Sequence, residues 1–238
     1  MTQQGDIINR CEAIILDMDG VLVDSEPIHG ESFRMFLGKL KVPYTEEFIN
    51  DLVGHSVNHN IQTINQEYLS EDPLDVNEGI KTRDAIYLSL ITDQSLKPLE
   101  GIEDLIIQCK KNNIKLGLAS SSVREQIDAI LKSLSQNNEH NINFQTIFDV
   151  TVAGDEVSEK KPAPDIYDKA IQLLSVDRKR CVAIEDSGAG IMSAKANDIF
   201  CVALRNQFLK DSDALLADLI INSINEVVDI LKSSRAKS

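Results

Sequence analysis

Apolar residues in this chain gather in short, nearly unbroken runs, separated by longer stretches where they recur every three or four positions. "EAIILDMD" (12–19), "IKLGLAS" (114–120), "CVAIED" (181–186) and "FCVAL" (200–204) are runs of the first kind, each bounded by polar or turn-forming residues. "FDVTVAG" (148–154) is a weaker fifth run and "LIIN" (219–222) a sixth. None alternates strictly between apolar and polar, as expected of parallel strands covered on both faces. Helical spacing fills the intervals. In "GIEDLIIQCKKNN" (101–113), Ile102, Leu105, Ile106 and Cys109 fall on one stripe. "APDIYDKAIQLLS" (163–175) carries Pro164 in its first turn, and "SGAGIMSAKAND" (187–198) opens a helix directly after a strand. Strands alternating with helices predict an α/β fold built on a doubly wound, Rossmann-like parallel sheet.

One interval breaks the rhythm. From Pro27 to Ser95 the chain reads "EPIHGESFRMFLGKL", "TEEFINDLVG", "VNHNIQTINQEYL" and "NEGIKTRDAIYLSLI", helical throughout and without a strand. This predicts a small helical cap domain, 27–95, inserted into an α/β core made of 1–26 and 96–238. The Asn-rich tract "SLSQNNEHNINFQ" (133–145) is expected to be a surface loop without a function of its own.

The net charge of −14 excludes a polyanion such as nucleic acid as partner, since phosphate backbones are bound by basic surfaces. It leaves room for a small phosphate ester, which needs only a local positive patch. No apolar run approaches the roughly 20 residues of a membrane span, so no membrane partner is expected. The N-terminal "MTQQGDIINR" lacks the apolar segment of a secretory signal. Cys11, Cys109, Cys181 and Cys201 sit singly in apolar segments, as small buried side chains of a reducing compartment. A cytoplasmic protein is expected, and a monomer, because no extended apolar heptad is evident.

The chemistry lies at the strand ends. Ligands of open α/β sheets bind at the carboxyl edge. There this chain places Asp17 and Asp19, then Ser120, then Glu185 and Asp186, with Lys160 and Lys161 ahead of a helix start. Taken singly, each has an ordinary structural reading. "DMD" and "ED" occur at turns and helix starts, Ser120 suits a cap, and paired lysines suit a solvated surface. Together they suggest a cation and an ammonium gathered among like charges.

In this order the motifs resemble those of the haloacid dehalogenase superfamily, in the branch of sugar-phosphate phosphatases and β-phosphoglucomutase. "DMDGVLVDS" (17–25) is similar to the first motif, Ser120 to the second, Lys161 in "KKPAPD" to the third and "IEDSGAG" (184–190) to the fourth. The resemblance implies that Asp17 is a nucleophile and that Asp19 is a general acid and base. Mg2+ would be held by Asp17, the Asp19 carbonyl and Asp186, with Glu185 behind or reaching it through water. Lys161 would bridge the nucleophile and a phosphoryl oxygen. Ser120 and backbone N–H groups around Met18, Asp19 and Ser121 would bind the others, and Gly20 would permit the turn. His29 and Arg83 are candidate substrate contacts in the cap, whose opening about 24–27 and 95–98 would gate the site. The expected activity is phosphatase action on a small sugar or polyol phosphate. A β-phosphoglucomutase-like mutase is one alternative and a non-catalytic phosphate-ester binding protein another. Where the mutase shows serine followed by arginine, this chain has Ser56 followed by Val57. Dehalogenation is excluded, since it needs no metal and has no use for Asp19 with Asp186.

Overall fold

In the computed structural model, which describes residues 3–52 and 55–233, the six apolar runs become β1 (Ala13–Leu16), β2 (Lys115–Ala119), β3 (Val150–Val152), β4 (Cys181–Glu185), β5 (Phe200–Leu204) and β6 (Leu219–Ile221). They pair in parallel as one sheet, in the order β3-β2-β1-β4-β5-β6. The doubly wound α/β architecture is therefore present. The helices are α1 (Gln3–Asn9), α2 (Glu26–Leu40), α3 (Glu46–Leu52), α4 (Val57–Tyr68), α5 (Val76–Asp93), α6 (Ile102–Lys111), α7 (Arg124–Gln136), α8 (Phe144–Ile147), α9 (Asp165–Leu174), α10 (Gly188–Ala196), α11 (Asp211–Ala214) and α12 (Asn225–Ser233).

Every residue of β1 and of β4 is buried, which is why neither strand alternates in sequence. Ile14, Ile15 and Leu16 are fully enclosed, and burying each such side chain contributes about 1.5–3 kcal/mol. Toward α9 and α10 the sheet offers small residues: Ala13, Ala119, Cys181, Ala183, Cys201 and Ala203. Small residues let those helices approach closely. A Cβ on Gly117 would already stand 3.3 Å from Leu174 Cδ1. All four cysteines are buried and unpaired by disulfides.

The chain divides into two compact units, Met1–Asp24 with Leu96–Ser238, and Ser25–Ser95. The second contains α2 to α5 around its own apolar cluster of Phe33, Phe36, Leu37, Ile49, Leu52, Ile61, Ile64 and Ile86. Its helix starts are capped: Ser56 accepts from His59 N at 3.2 Å and Asp75 from Glu78 N at 3.0 Å. Val53 and Gly54, which close "TEEFINDLVG" and open "GHSVNHN", lie outside the described residues.

The Asn-rich tract departs from expectation. It is not a plain surface loop: α7 runs into it as far as Gln136, α8 begins at Phe144, and Leu134 and Phe144 are fully buried. Asn138 closes the bend by accepting from Ile142 N (2.7 Å) and donating to Ile142 O (3.0 Å) and Leu134 O (2.9 Å). Glu103 accepts from the Glu139 and His140 amides at 3.1 and 2.7 Å. The asparagines are the turn's hydrogen-bonding groups, which composition alone does not distinguish from solvation. The short helices α1 and α11 have no clear pattern in the sequence, whereas α12 buries Val227, Val228 and Leu231 at helical spacing.

Candidate active site

Register brings the site together. Leu16 pairs with Leu118 on one side and Ile184 on the other. The next residues, Asp17, Ala119 and Glu185, therefore stand level at the carboxyl edge of three adjacent strands, about 4.8 Å apart. Asp17 N donates to Ile184 O at 3.0 Å, continuing the ladder by one step. The β1/β4 border is also where the strand order reverses, the crevice position of doubly wound sheets.

Lys161, from the link before α9, spans all three ends. Its Nζ donates to Asp17 Oδ1 (2.6 Å), Glu185 Oε1 (2.6 Å) and Ala119 O (2.8 Å), and its side chain is only 5% exposed. An ammonium has three protons, and all three are committed here. Glu185, its second carboxylate partner, stands level with Asp17 at the strand ends. Lys160 is exposed and donates to Ser121 O at 3.1 Å.

After Asp17 the chain folds back on itself. Met18 O accepts from Leu22 N (2.9 Å) and Val23 N (3.2 Å), and Gly20 N donates to Val23 O (2.9 Å). Gly20 adopts φ 78°, and a Cβ there would fall 1.8 Å from Asp186 Oδ2, so the position excludes other residues twice over. Asp19 is half-buried, and its Oδ2 accepts from Ser122 Oγ at 3.1 Å. Ser120 is fully buried; its Oγ accepts from Ser122 N at 3.1 Å and retains its own proton to donate. Among the described residues, the N–H groups of Met18 and Ser121 have no acceptor.

Asp186 is 8% exposed and is held by Asn206, whose Nδ2 donates to its Oδ2 (2.8 Å) and its backbone O (3.2 Å). Asn206 is anchored in turn, its Oδ1 accepting from the Phe208 and Leu209 amides. Glu185 is fully buried; Tyr167 donates its hydroxyl to Oε1 at 2.6 Å, while Oε2 has no hydrogen-bond partner among the described residues.

Three buried carboxylates around the Lys161 ammonium leave negative charge uncompensated. Burial, opposed by Lys161 but reinforced by Glu185 and Asp19, pushes the Asp17 carboxyl up to about 7. Burial and then Asp17, Glu185 and Asp19 hold Asp186 well above the usual carboxylate range. Burial also disfavours the Lys161 charge, but Asp17 and Glu185 outweigh it and raise that group further above its ordinary value. The charge deficit is what a divalent cation would neutralise. One carboxylate oxygen each from Asp17, Glu185 and Asp186 lies within 4.8 Å of the others. This oxygen-only donor set is of the kind Mg2+ takes, and waters and a phosphate oxygen would complete the ion's shell.

The structure thus gathers Asp17, Asp19, Gly20, Ser120, Ser121, Lys161, Glu185 and Asp186 into one region of the α/β unit. His29 and Arg83 belong to the helical unit and meet each other there, 54 positions apart, through Arg83 Nη2 and His29 Nδ1. Arg83 is 1% exposed, with the Phe33 and Tyr87 rings each 4.7 Å from its guanidinium carbon, and it donates to Asp84 at 3.0 Å. His29 stacks on Tyr87 at 4.3 Å. Sequence reasoning missed Ser122, Tyr167 and Asn206. Only Ser122 left a signal, as the third serine of "SSS".

Comparison with known proteins agrees with this geometry. The family model for haloacid dehalogenase-like hydrolases matches residues 14–204, and the chain belongs to that family of enzymes. It is 30% identical over 223 residues to the phosphorylated carbohydrates phosphatase of Thermotoga maritima, covering 93% of this chain and 98% of that one. It is 29% identical over 223 residues to the β-phosphoglucomutase of Bacillus subtilis, covering 91% of each. Among solved structures, a mutant of CbbY from Rhodobacter sphaeroides in complex with xylulose-(1,5)bisphosphate superposes with a TM-score of 0.77 at 27% identity, over 91% of this chain and 96% of that one. Among the described residues, no helix is long and apolar enough to cross a membrane.

Proposed function

We propose that this protein is a Mg2+-dependent phosphatase acting on a small sugar or polyol phosphate through a phosphoryl-aspartate at Asp17. The observation that carries the reading is the buried Lys161 ammonium held between Asp17 and Glu185, beside Asp186. With Oδ1 tied to Lys161, the Asp17 carboxylate presents its other oxygen in a set direction. That oxygen attacks phosphorus, the ester P–O bond breaks, and the leaving alkoxide takes a proton from Asp19. Asp19 then accepts a proton from water as the water oxygen bonds to phosphorus, and the Asp17–phosphorus bond breaks. Ser120 and the open Met18 and Ser121 amides hold the phosphoryl oxygens. Asp17, the Asp19 carbonyl and Asp186 would hold Mg2+, with Glu185 in reach, and the ion would neutralise phosphoryl charge.

The sugar phosphate class is supported by the two relatives named for such substrates and by the sugar bisphosphate bound in the CbbY structure. The helical unit is proposed as the cap that selects the substrate. His29 would be its contact, with Arg83 fixing the ring. The protein would work as a monomer in the cytoplasm.

Wild type should release phosphate from p-nitrophenyl phosphate with Mg2+ present, and Asp17→Asn should lose essentially all turnover while keeping its fold. Equal activity in the two would remove Asp17 from the mechanism. A panel of metabolite esters then identifies the substrate. A phosphomutase is the second reading, favoured by the likeness to the Bacillus enzyme. Against it, Ser56 caps α4 and Val57 packs on the helical unit's apolar cluster, where the mutase has its arginine. Incubation with β-glucose 1-phosphate and a trace of the bisphosphate separates the two. Glucose 6-phosphate formed without phosphate release would favour the mutase.

A further inference from the structure

Tyr167 has no part in the reaction outlined above, yet it touches both charged partners of the nucleophile. Its hydroxyl donates to Glu185 Oε1 at 2.6 Å, and its ring centre lies 5.2 Å from Lys161 Nζ. The side chain is fully enclosed. It stands in the first turn of α9, six positions after Lys161, so one segment delivers the ammonium and the phenol together.

The same oxygen, Glu185 Oε1, receives both donors at 2.6 Å. A carboxylate oxygen shared in this way divides its charge between them. Without the phenol, Lys161 would face that oxygen undivided and be drawn from Asp17, and the carboxylate would be freer to rotate about its last bond. The other oxygen, Oε2, is buried with no hydrogen-bond partner among the described residues, close against Gly190, where a Cβ would fall 1.8 Å from it. A buried carboxylate oxygen left without a donor is costly unless a cation meets it.

We propose that Tyr167 is a positioning residue: its hydroxyl fixes Glu185 so that Lys161 stays shared with Asp17 and Oε2 is left to face the metal. The activity arm of this inference rests on the phosphatase reading; the binding arm does not. A tyrosine that merely filled the core could be replaced by phenylalanine without consequence, which makes Tyr167→Phe the informative variant. It keeps the ring beside Lys161 and removes only the hydroxyl.

Three quantities should be measured on wild type and Tyr167→Phe: kcat and KM for p-nitrophenyl phosphate, Mn2+ affinity of the metal-free protein by electron paramagnetic resonance, and melting temperature. The expected result is a fall in kcat and in Mn2+ affinity of about 10–100-fold each, with KM and melting temperature nearly unchanged. Values of kcat and Mn2+ affinity equal to wild type overturn the proposal. So does a variant that fails to fold, because the hydroxyl would then be holding the core rather than the site. If wild type does not turn over the ester, the phosphatase reading fails by itself and the Mn2+ titration alone decides the role of Tyr167.

Discussion

Asp17, Glu185 and Asp186 face Lys161 from neighbouring strand ends, and their burial ties the stability of the metal-free protein to pH. In the unfolded chain an aspartate loses its proton near 3.8, whereas burial holds Asp17 up to about 7 and Asp186 well above the ordinary value. Between about 4 and about 7 the folded protein therefore binds more protons than the unfolded one, and its stability declines as pH rises. Lys161 does not reverse this, because a raised lysine contributes stability that is lost only in strongly alkaline solution. In EDTA, the melting temperature should drop as pH is raised through that window, and the drop should be shallower in Asp17→Asn, which has no proton to lose. A melting temperature that climbs across the window would mean the acids are already compensated within the protein. The residues that create this behaviour were legible as acids at strand ends. Tyr167 and Asn206 were not, because a tyrosine on an apolar helix face reads as core, and an asparagine after a strand reads as a turn. Their hydrogen-bond partners depend on which side chains the packed helices and loops bring within reach.

At the scale of elements, the junction between β4 and α10 does most to shape the acidic cluster. Ser187 caps α10 by accepting from Gly190 N at 3.1 Å, and the missing side chain of Gly190 is the space that Glu185 occupies. Gly190→Ala should force Glu185 aside, lowering stability by about 1–3 kcal/mol, as overpacking does elsewhere, and reducing phosphate release with it. Denaturant melts and an initial-rate assay check this; a variant with native melt and native rate would show that Glu185 has room to retreat. The strands flanking this junction were readable because residues covered on both faces must all be apolar. The ordered bend at 137–143 was not, since asparagines that bond to Leu134 and Ile142 look in sequence like asparagines that bond to water.

For the molecule as a whole, a net charge of −14 accompanies a cluster in which three buried carboxylates share the single Lys161 ammonium. Mg2+ binding only to the folded protein should raise its stability by about 2.7 kcal/mol at a hundred times the dissociation constant. A thermal-shift titration should show this rise in wild type and lose most of it in Asp186→Asn, and EDTA should abolish phosphate release reversibly. A shift of equal size in the variant would put the ion elsewhere. The sequence alone determined the α/β alternation, the helical interruption and the residues that end each strand, because periodicity and strand-end chemistry are local properties. Only the tertiary structure decided that Lys161 spends its three protons on Asp17, Ala119 and Glu185, that Tyr167 shares Glu185 and that Asn206 holds Asp186. Those pairings join residues up to 144 positions apart, and their geometry exists only once strand register and helix docking are set.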